Sequence, residues 1–230
     1  YNIAALGGIE AAGVLSPGAD FGTSDVTIRV KDGKRRSYVL YSENYGSEPS
    51  GRYRFGLQGS LENLTKSGDR LNLGLTLSNK DLHNYGISYS HPVGADGTTL
   101  GIGVSRMDYE LSGAFRTLGA EGTADTLSLF GTTPLWRTAQ SSLAVTYGWD
   151  WRRLKDEYKK IGMELEKHSS TFHLGIKGAE RQYRTSWSYD LTGYCGHLGA
   201  DSDWARRQMK RAGTEGSFTK GVLNLNLRHE

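Results

Sequence analysis

From about residue 36 onward, apolar and polar residues alternate with a period of two in ten short stretches separated by turn-forming residues. The cleanest is Leu71-Asn72-Leu73-Gly74-Leu75-Thr76-Leu77-Ser78, which puts four leucines on one face of a strand and small polar residues on the other. The predicted strands are Ser37–Tyr45, Arg52–Leu61, Leu71–Ser78, Tyr85–Ser90, Thr99–Met107, Ala124–Gly131, Leu143–Trp151, Ser170–Lys177, Arg184–Leu191 and Val222–Arg228. Along them Phe55, Leu57, Ile87, Ile102, Leu129, Trp149, Leu174, Tyr189 and Leu225 fall on the apolar side, and Gln58, Thr76, Ser88, Thr146, Lys177 and Asn224 on the other. A greasy face needs cover. In water a second protein layer supplies it, whereas in a bilayer lipid does and the strands close into a barrel.

The connections separate these two solutions. Those at roughly 63–70, 91–98, 132–141 and 178–183 are short, and those at roughly 108–123, 152–169 and 192–218 are long and rich in charge. The connections at 46–51 and 79–84 are short exceptions on the long side. In an up-and-down sheet alternate connections lie at opposite ends, so short turns at one rim and long loops at the other fit an outer-membrane barrel. A soluble β-sandwich shares the strand alternation. Against it, Trp149, Trp151, Trp187 and Tyr189 lie on the apolar face near strand ends, as an interfacial belt requires, and the polar face is mostly small and uncharged. The predicted fold is all-β, a transmembrane antiparallel β-barrel seen over about ten strands.

Residues before this region read differently. A helical piece Ile3 to Leu6, an extended segment Ala12–Leu15, the turn Ser16-Pro17-Gly18 and a strand Asp25–Val30 form the end of a small α+β domain, broken at Lys31-Asp32-Gly33-Lys34. The expected division is residues 1–34 and 35–230. The opening Tyr1-Asn2-Ile3-Ala4-Ala5-Leu6 reads as the end of a helix already under way, so the chain is expected to be a fragment.

Composition agrees with a wall one residue thick. Hydrophobic residues are 37% of the chain and aromatics 10%, with 31 Gly and 13 Tyr. A mean hydropathy of -0.53 is compatible with a membrane barrel, because only half the strand positions face lipid. No run of apolar residues is long enough for a transmembrane helix. The net charge of +3 is too small and dispersed to suggest nucleic acid. Cys195 is single, so no intrachain disulfide forms.

Catalytic patterns are weak throughout. The six histidines show no zinc spacing, and His168 and His173 point to opposite faces of one strand. Gly101-Ile102-Gly103 lies inside a strand and lacks a third glycine, so it is no dinucleotide fingerprint. Glu43 with Glu48, and Asp201 with Asp203, read as solvated loop charges rather than a carboxylate pair. No serine sits in a Gly-x-Ser-x-Gly elbow, and Cys195 near His197 reads as a loop residue. Neither enzyme activity nor a cofactor or metal is expected.

Val14-Leu15-Ser16-Pro17-Gly18, then Gly22 to Val30, Asn44-Tyr45-Gly46 and Gly51-Arg52-Tyr53-Arg54 resemble the outer-membrane translocators of two-partner secretion, the haemolysin secretion/activation family. Further matches are Ser67-Gly68-Asp69-Arg70-Leu71, Tyr89 to Gly94, Asp96 to Leu100 and Gly122 to Leu129. The resemblance is strong to about residue 135 and thins beyond it. It implies that residues 1–34 end a periplasmic polypeptide-transport-associated (POTRA) domain that captures an unfolded exoprotein by strand addition. It also implies that residues 35–230 begin a 16-stranded barrel, embedded in outer-membrane lipid, that threads that exoprotein, of haemolysin or adhesin type, to the cell surface without nucleotide. The family's first POTRA domain, plug helix, last strands and Val-Arg-Gly-Tyr motif are not in this sequence. Arg54, Gln58, Asn72, Lys177, Asp190, Asn224 and Asn226 are the candidate lumen-facing residues. The rival expectations are another outer-membrane barrel, either a porin or an autotransporter anchor, and a secreted β-sandwich adhesin or carbohydrate-binding protein.

Overall fold

A computed structural model of the chain describes residues 8–20, 23–48, 50–110, 119–201 and 203–229. The expected helical piece at Ile3 to Leu6 lies outside them. Strands β1 (Ile9–Pro17) and β2 (Ser24–Asp32) pair as an antiparallel hairpin. Then come β3 (Arg36–Glu43), β4 (Arg54–Glu62), β5 (Arg70–Ser78), β6 (His83–Val93), β7 (Thr98–Glu110), β8 (Ala120–Arg137), β9 (Ser141–Tyr158), β10 (Met163–Gln182), β11 (Thr185–Ala200) and β12 (Gly216–His229). These ten form one antiparallel sheet in chain order, with β3 and β12 outermost. One helix, α1 (Asp203–Ala212), stands between β11 and β12.

All ten stretches of alternation are strands, and the register joins their apolar sets into one surface. A single row runs Leu61, Leu71, Tyr89, Ile102, Leu129, Trp149, Phe172 across seven strands. This face has no protein cover: Leu73, Leu75, Leu77, Ile87, Ile102, Val104, Leu129, Leu174 and Ile176 are between 37% and 54% exposed. A contiguous apolar surface of that extent marks contact with membrane or partner. On β9 it runs from Leu143 to Trp151, about 27 Å of strand at about 3.4 Å per residue, or roughly 20 Å of height at a barrel tilt of about 40°.

Two expected loops are mostly strand. The span 152–169 continues β9 and β10 as a two-stranded extension closed by a 3-10 turn at Lys159–Ile161, and β11 continues through Ala200. Charge concealed the alternation here. Beyond Trp151, Arg153 and Lys155 continue the outer face and pair across strands with Glu166 (3.1 Å) and Glu164 (2.8 Å), while Arg106 meets Asp125 at 3.4 Å. Cys195, expected in a loop, therefore sits on β11 opposite Phe172 on the outer face. Helix α1 also falls in a span expected to be loop. Gly213, in the left-handed region at φ 64°, ends it, with Thr214 N–H donating to the Met209 carbonyl at 2.9 Å.

At the opposite rim the β4–β5 turn explains the Ser67-Gly68-Asp69 segment. The Asp69 carboxylate is fully buried and accepts from Thr65 N and Thr65 Oγ1, each at 2.9 Å, while Gly68 N donates to Asn63 Oδ1 at 3.0 Å. Burial opposes its ionisation, but the Thr65 hydrogen bonds outweigh that and hold the carboxyl below its ordinary range. The β1–β2 hairpin rests on this turn: a Cβ on Gly8 would lie 3.1 Å from that of Asn63.

Candidate functional site

The face opposite the leucines is concave. Ser37 on β3 and His173 on β10 line the same cavity of about 800 Å³, so the sheet curls until strands far apart in sequence share one space. Small side chains make this possible: Ser60, Asn72, Thr76, Ser88, Ser105 and Ser128 all project to this side, by the same register that sends the leucines out. Because neighbouring residues on a strand face opposite ways, one alternating pattern produces both surfaces.

The register puts Arg54, Gln58, Asn72, Lys177, Asp190, Asn224 and Asn226 on the side of the sheet opposite the leucines. Gln58 and Asn72 line the cavity, and Asn72 Nδ2 donates to Ser88 Oγ at 3.3 Å. Lys177, Asp190 and Asn224 are directly opposed across β10, β11 and β12, and Thr192 Oγ1 donates to Asp190 at 2.8 Å. Asn226 lines a second, smaller cavity toward the turn rim with Ser188 and Arg228. Arg54 stands apart near the loop rim, 3.9 Å from Glu43. The structure therefore groups three of the seven in one cross-strand row and two in one cavity.

Of the aromatic rings on this face, His173 is expected from its alternation with Lys177, and Phe130 is not. Phe130 and His173 each lie across a neighbouring strand's glycine, Gly101 and Gly148, where any Cβ would collide with the ring. These two rings belong to one row, Gly101, Phe130, Gly148, His173, Tyr194, Lys220. His173 and Tyr194 have ring centroids 5.7 Å apart, and Lys220 Nζ lies 5.9 Å from the Tyr194 centroid. The signal that finds them is a glycine directly opposite an aromatic, which is visible only once the register is known.

Beside this row Ser128, Asp150 and His173 meet. Ser128 Oγ donates to Asp150 Oδ1 at 2.5 Å, and His173 Nδ1 lies 3.6 Å from Asp150 Oδ2. The residue types are those of a hydrolytic triad, but the connectivity is not. Catalysis needs the histidine on the serine hydroxyl, whereas here the carboxylate holds the hydroxyl and no base reaches it. The cluster is a polar brace on the wall. His168, on the same strand, points to the outer face and contacts Asp201 at 2.8 Å, as the odd spacing requires.

The sequence model of the haemolysin secretion/activation protein family ShlB/FhaC/HecB matches residues 22–230. The chain belongs to this family. It is 28% identical over 225 residues to the heme/hemopexin transporter protein HuxB of Haemophilus influenzae, covering 97% of this chain and 40% of that protein. Among solved structures, CdiB from Escherichia coli superposes with a TM-score of 0.71 at 19% identity, over 94% of this chain and 41% of CdiB. CdiB from Acinetobacter baumannii gives 0.62 at 17% identity, over 83% of this chain and 40% of that one. The likeness to CdiB is one of fold, and this chain spans about 40% of the length of its curated relatives. The one-sided apolar wall described above is therefore the family's barrel wall.

Proposed function

We propose that this chain forms part of an outer-membrane pore that passes a partner exoprotein to the cell surface without ATP, the type V two-partner secretion route. One observation carries the reading: a single sheet presents a continuous, uncovered apolar band outward and a small, mostly uncharged polar surface inward, in a chain that belongs to the haemolysin secretion/activation family. Lipid covers the first surface, and an extended polypeptide slides along the second. Arg54, Gln58, Asn72, Lys177, Asp190, Asn224 and Asn226 are its lumen-facing contacts. The short-turn rim is periplasmic and the charged, extended rim lies at the cell surface.

Residues 1–34 end a periplasmic POTRA domain. The β1–β2 hairpin supports this, since Leu15, Val26, Ile28 and Val30 share one face and are 54–74% exposed, leaving an apolar side that a further layer must cover. The cargo is a haemolysin- or adhesin-type protein, unfolded in transit, and the relative's name, heme/hemopexin transporter, adds a hemopexin-directed protein to those classes. Folding of the cargo outside, rather than a nucleotide, drives transport.

The test is to express the complete native gene with the exoprotein encoded beside it and to measure the exoprotein in the medium. Secretion dependent on this gene, with the protein in the outer-membrane fraction, is expected. A protein that remains soluble and monomeric in plain buffer overturns the reading.

A further inference from the structure

We propose that α1 is an anion-binding element inside the surface-side mouth of the pore, and that its ligand is the carboxylate-rich stretches of the polypeptide in transit; this rests on the pore reading above. The wall beneath α1 is unusual. An inner barrel face is polar, yet Leu165, Leu198 and Ala200 project to this side and hold Ala205 and Met209, which are 0% and 3% exposed. Trp204 packs beside them. The helix is thus fixed against the inner wall, on the side away from lipid.

That docking decides where the remaining residues point. Ala205 and Met209 are four apart and share the wall side, so Arg207, Lys210 and Arg211 form the opposite face, and all three are exposed. Arg206, to one side, pairs with Glu215 at 3.4 Å. On the outer face of the same rim, Arg106, Arg153, Lys155 and Lys159 each have a carboxylate within 3.4 Å. Arg207, Lys210 and Arg211 have none among the described residues. Spaced three and four apart, they also repel one another along the helix. A cation cluster rigidly seated, internally unfavourable and without an acid among the described residues suits an anion that comes and goes. The wall bars lipid phosphates from reaching it, which leaves the lumen's own traffic.

The experiment uses the complete native protein in planar bilayers, compared with the triple variant Arg207→Gln, Lys210→Gln, Arg211→Gln and the double variant Lys210→Gln, Arg211→Gln. Decaglutamate is added to the α1 side, and decalysine serves as the control. Decaglutamate is expected to block wild-type current, and the triple variant to need about tenfold more peptide, because exposed ion pairs are individually weak and three are lost. The double variant should fall between, and decalysine should not block. Equal block of wild type and variants, or equal block by both peptides, overturns the inference while leaving the pore intact. Absence of any channel overturns the pore reading and this inference with it.

Discussion

Lysine placed at Leu73 or at Asn72 changes adjacent residues that the register sends to opposite faces, and it separates the two surfaces energetically. Leu73 is 45% exposed, faces outward between Gly59 and Ile87, and is flanked by Leu71, Leu75 and Leu77 along its strand. A lysine near the bilayer midplane costs about 2–4 kcal/mol, a shift of roughly 30- to 700-fold in the folding equilibrium. Asn72 is inward, and replacing it forfeits one hydrogen bond to Ser88 at 3.3 Å, a loss of at most about 1 kcal/mol with the ammonium solvated in the lumen. Depth supplies an internal control. Leu77, at the strand end opposite His83, lies toward the interface, where the same substitution costs about 0–1 kcal/mol.

The assay is equilibrium refolding of the complete protein into lipid vesicles, titrated with urea and followed by tryptophan fluorescence and heat-dependent electrophoretic migration. Leu73→Lys is expected to destabilise far more than Leu77→Lys or Asn72→Lys, each of which costs about 1 kcal/mol or less. A second protein layer over the leucines gives a different result: Leu73→Lys and Leu77→Lys both remove core side chains, and their costs persist in lipid-free buffer. Equal costs at Leu73 and Leu77, or a larger cost at Asn72 than at Leu73, refutes the assignment of faces.

Other perturbations address the turn, the inner wall and the helix. Asp69→Asn removes the charged acceptor of two Thr65 hydrogen bonds and is expected to cost about 1–3 kcal/mol in the same titration. Because the folded pKa is lowered, the Asp69 contribution is present above the unfolded value of about 3.9 and lost as pH falls through the folded one; the wild-type and Asp69→Asn stabilities should converge in acid. Gly148→Ala sets a Cβ against the His173 ring and 2.6 Å from the Leu129 carbonyl oxygen, so a loss of about 1–3 kcal/mol is expected, read from the urea midpoint. Met209→Glu unseats α1 while leaving every strand residue unchanged: hydrogen exchange and tryptic cleavage at Arg206–Arg211 should rise while heat-dependent migration of the barrel is unchanged.

Much of the sheet is legible in the sequence because period-two alternation and lipid burial are the same constraint. Wherever one face meets lipid, polarity itself records the register, and the stretches from Leu71 to Ser78 and from Leu143 to Trp151 are read without ambiguity. The record stops where lipid stops. Beyond Trp151 both faces are wet, charged residues occupy outward and inward positions alike, and the strand is held by backbone pairing and by ion pairs such as Arg153 with Glu166 and Lys155 with Glu164. Polarity then carries no information on direction, so a strand reads as a loop. Helix α1 is hidden for a related reason, since its apolar seam of Trp204, Ala205 and Met209 is short and lies within a run of cations.

The inner face follows a third rule. Its polar residues were readable as the complement of the leucines, and Gln58, Asn72, Lys177 and Asn224 all stand where alternation puts them. His173 follows the same alternation, but the packing of its ring and of Phe130 does not, because it depends on Gly148 and Gly101, which lie 25 and 29 residues away in sequence and become neighbours only through pairing. Cross-strand glycines therefore set how closely rings lie against the wall, and so how much of the lumen stays open. If that spacing is functional, filling it and emptying it act in opposite directions: a larger residue at Gly148 should push the His173 ring into the lumen and lower single-channel conductance, and His173→Ala should raise it. A conductance unchanged by both variants means that the inner aromatics serve wall packing alone.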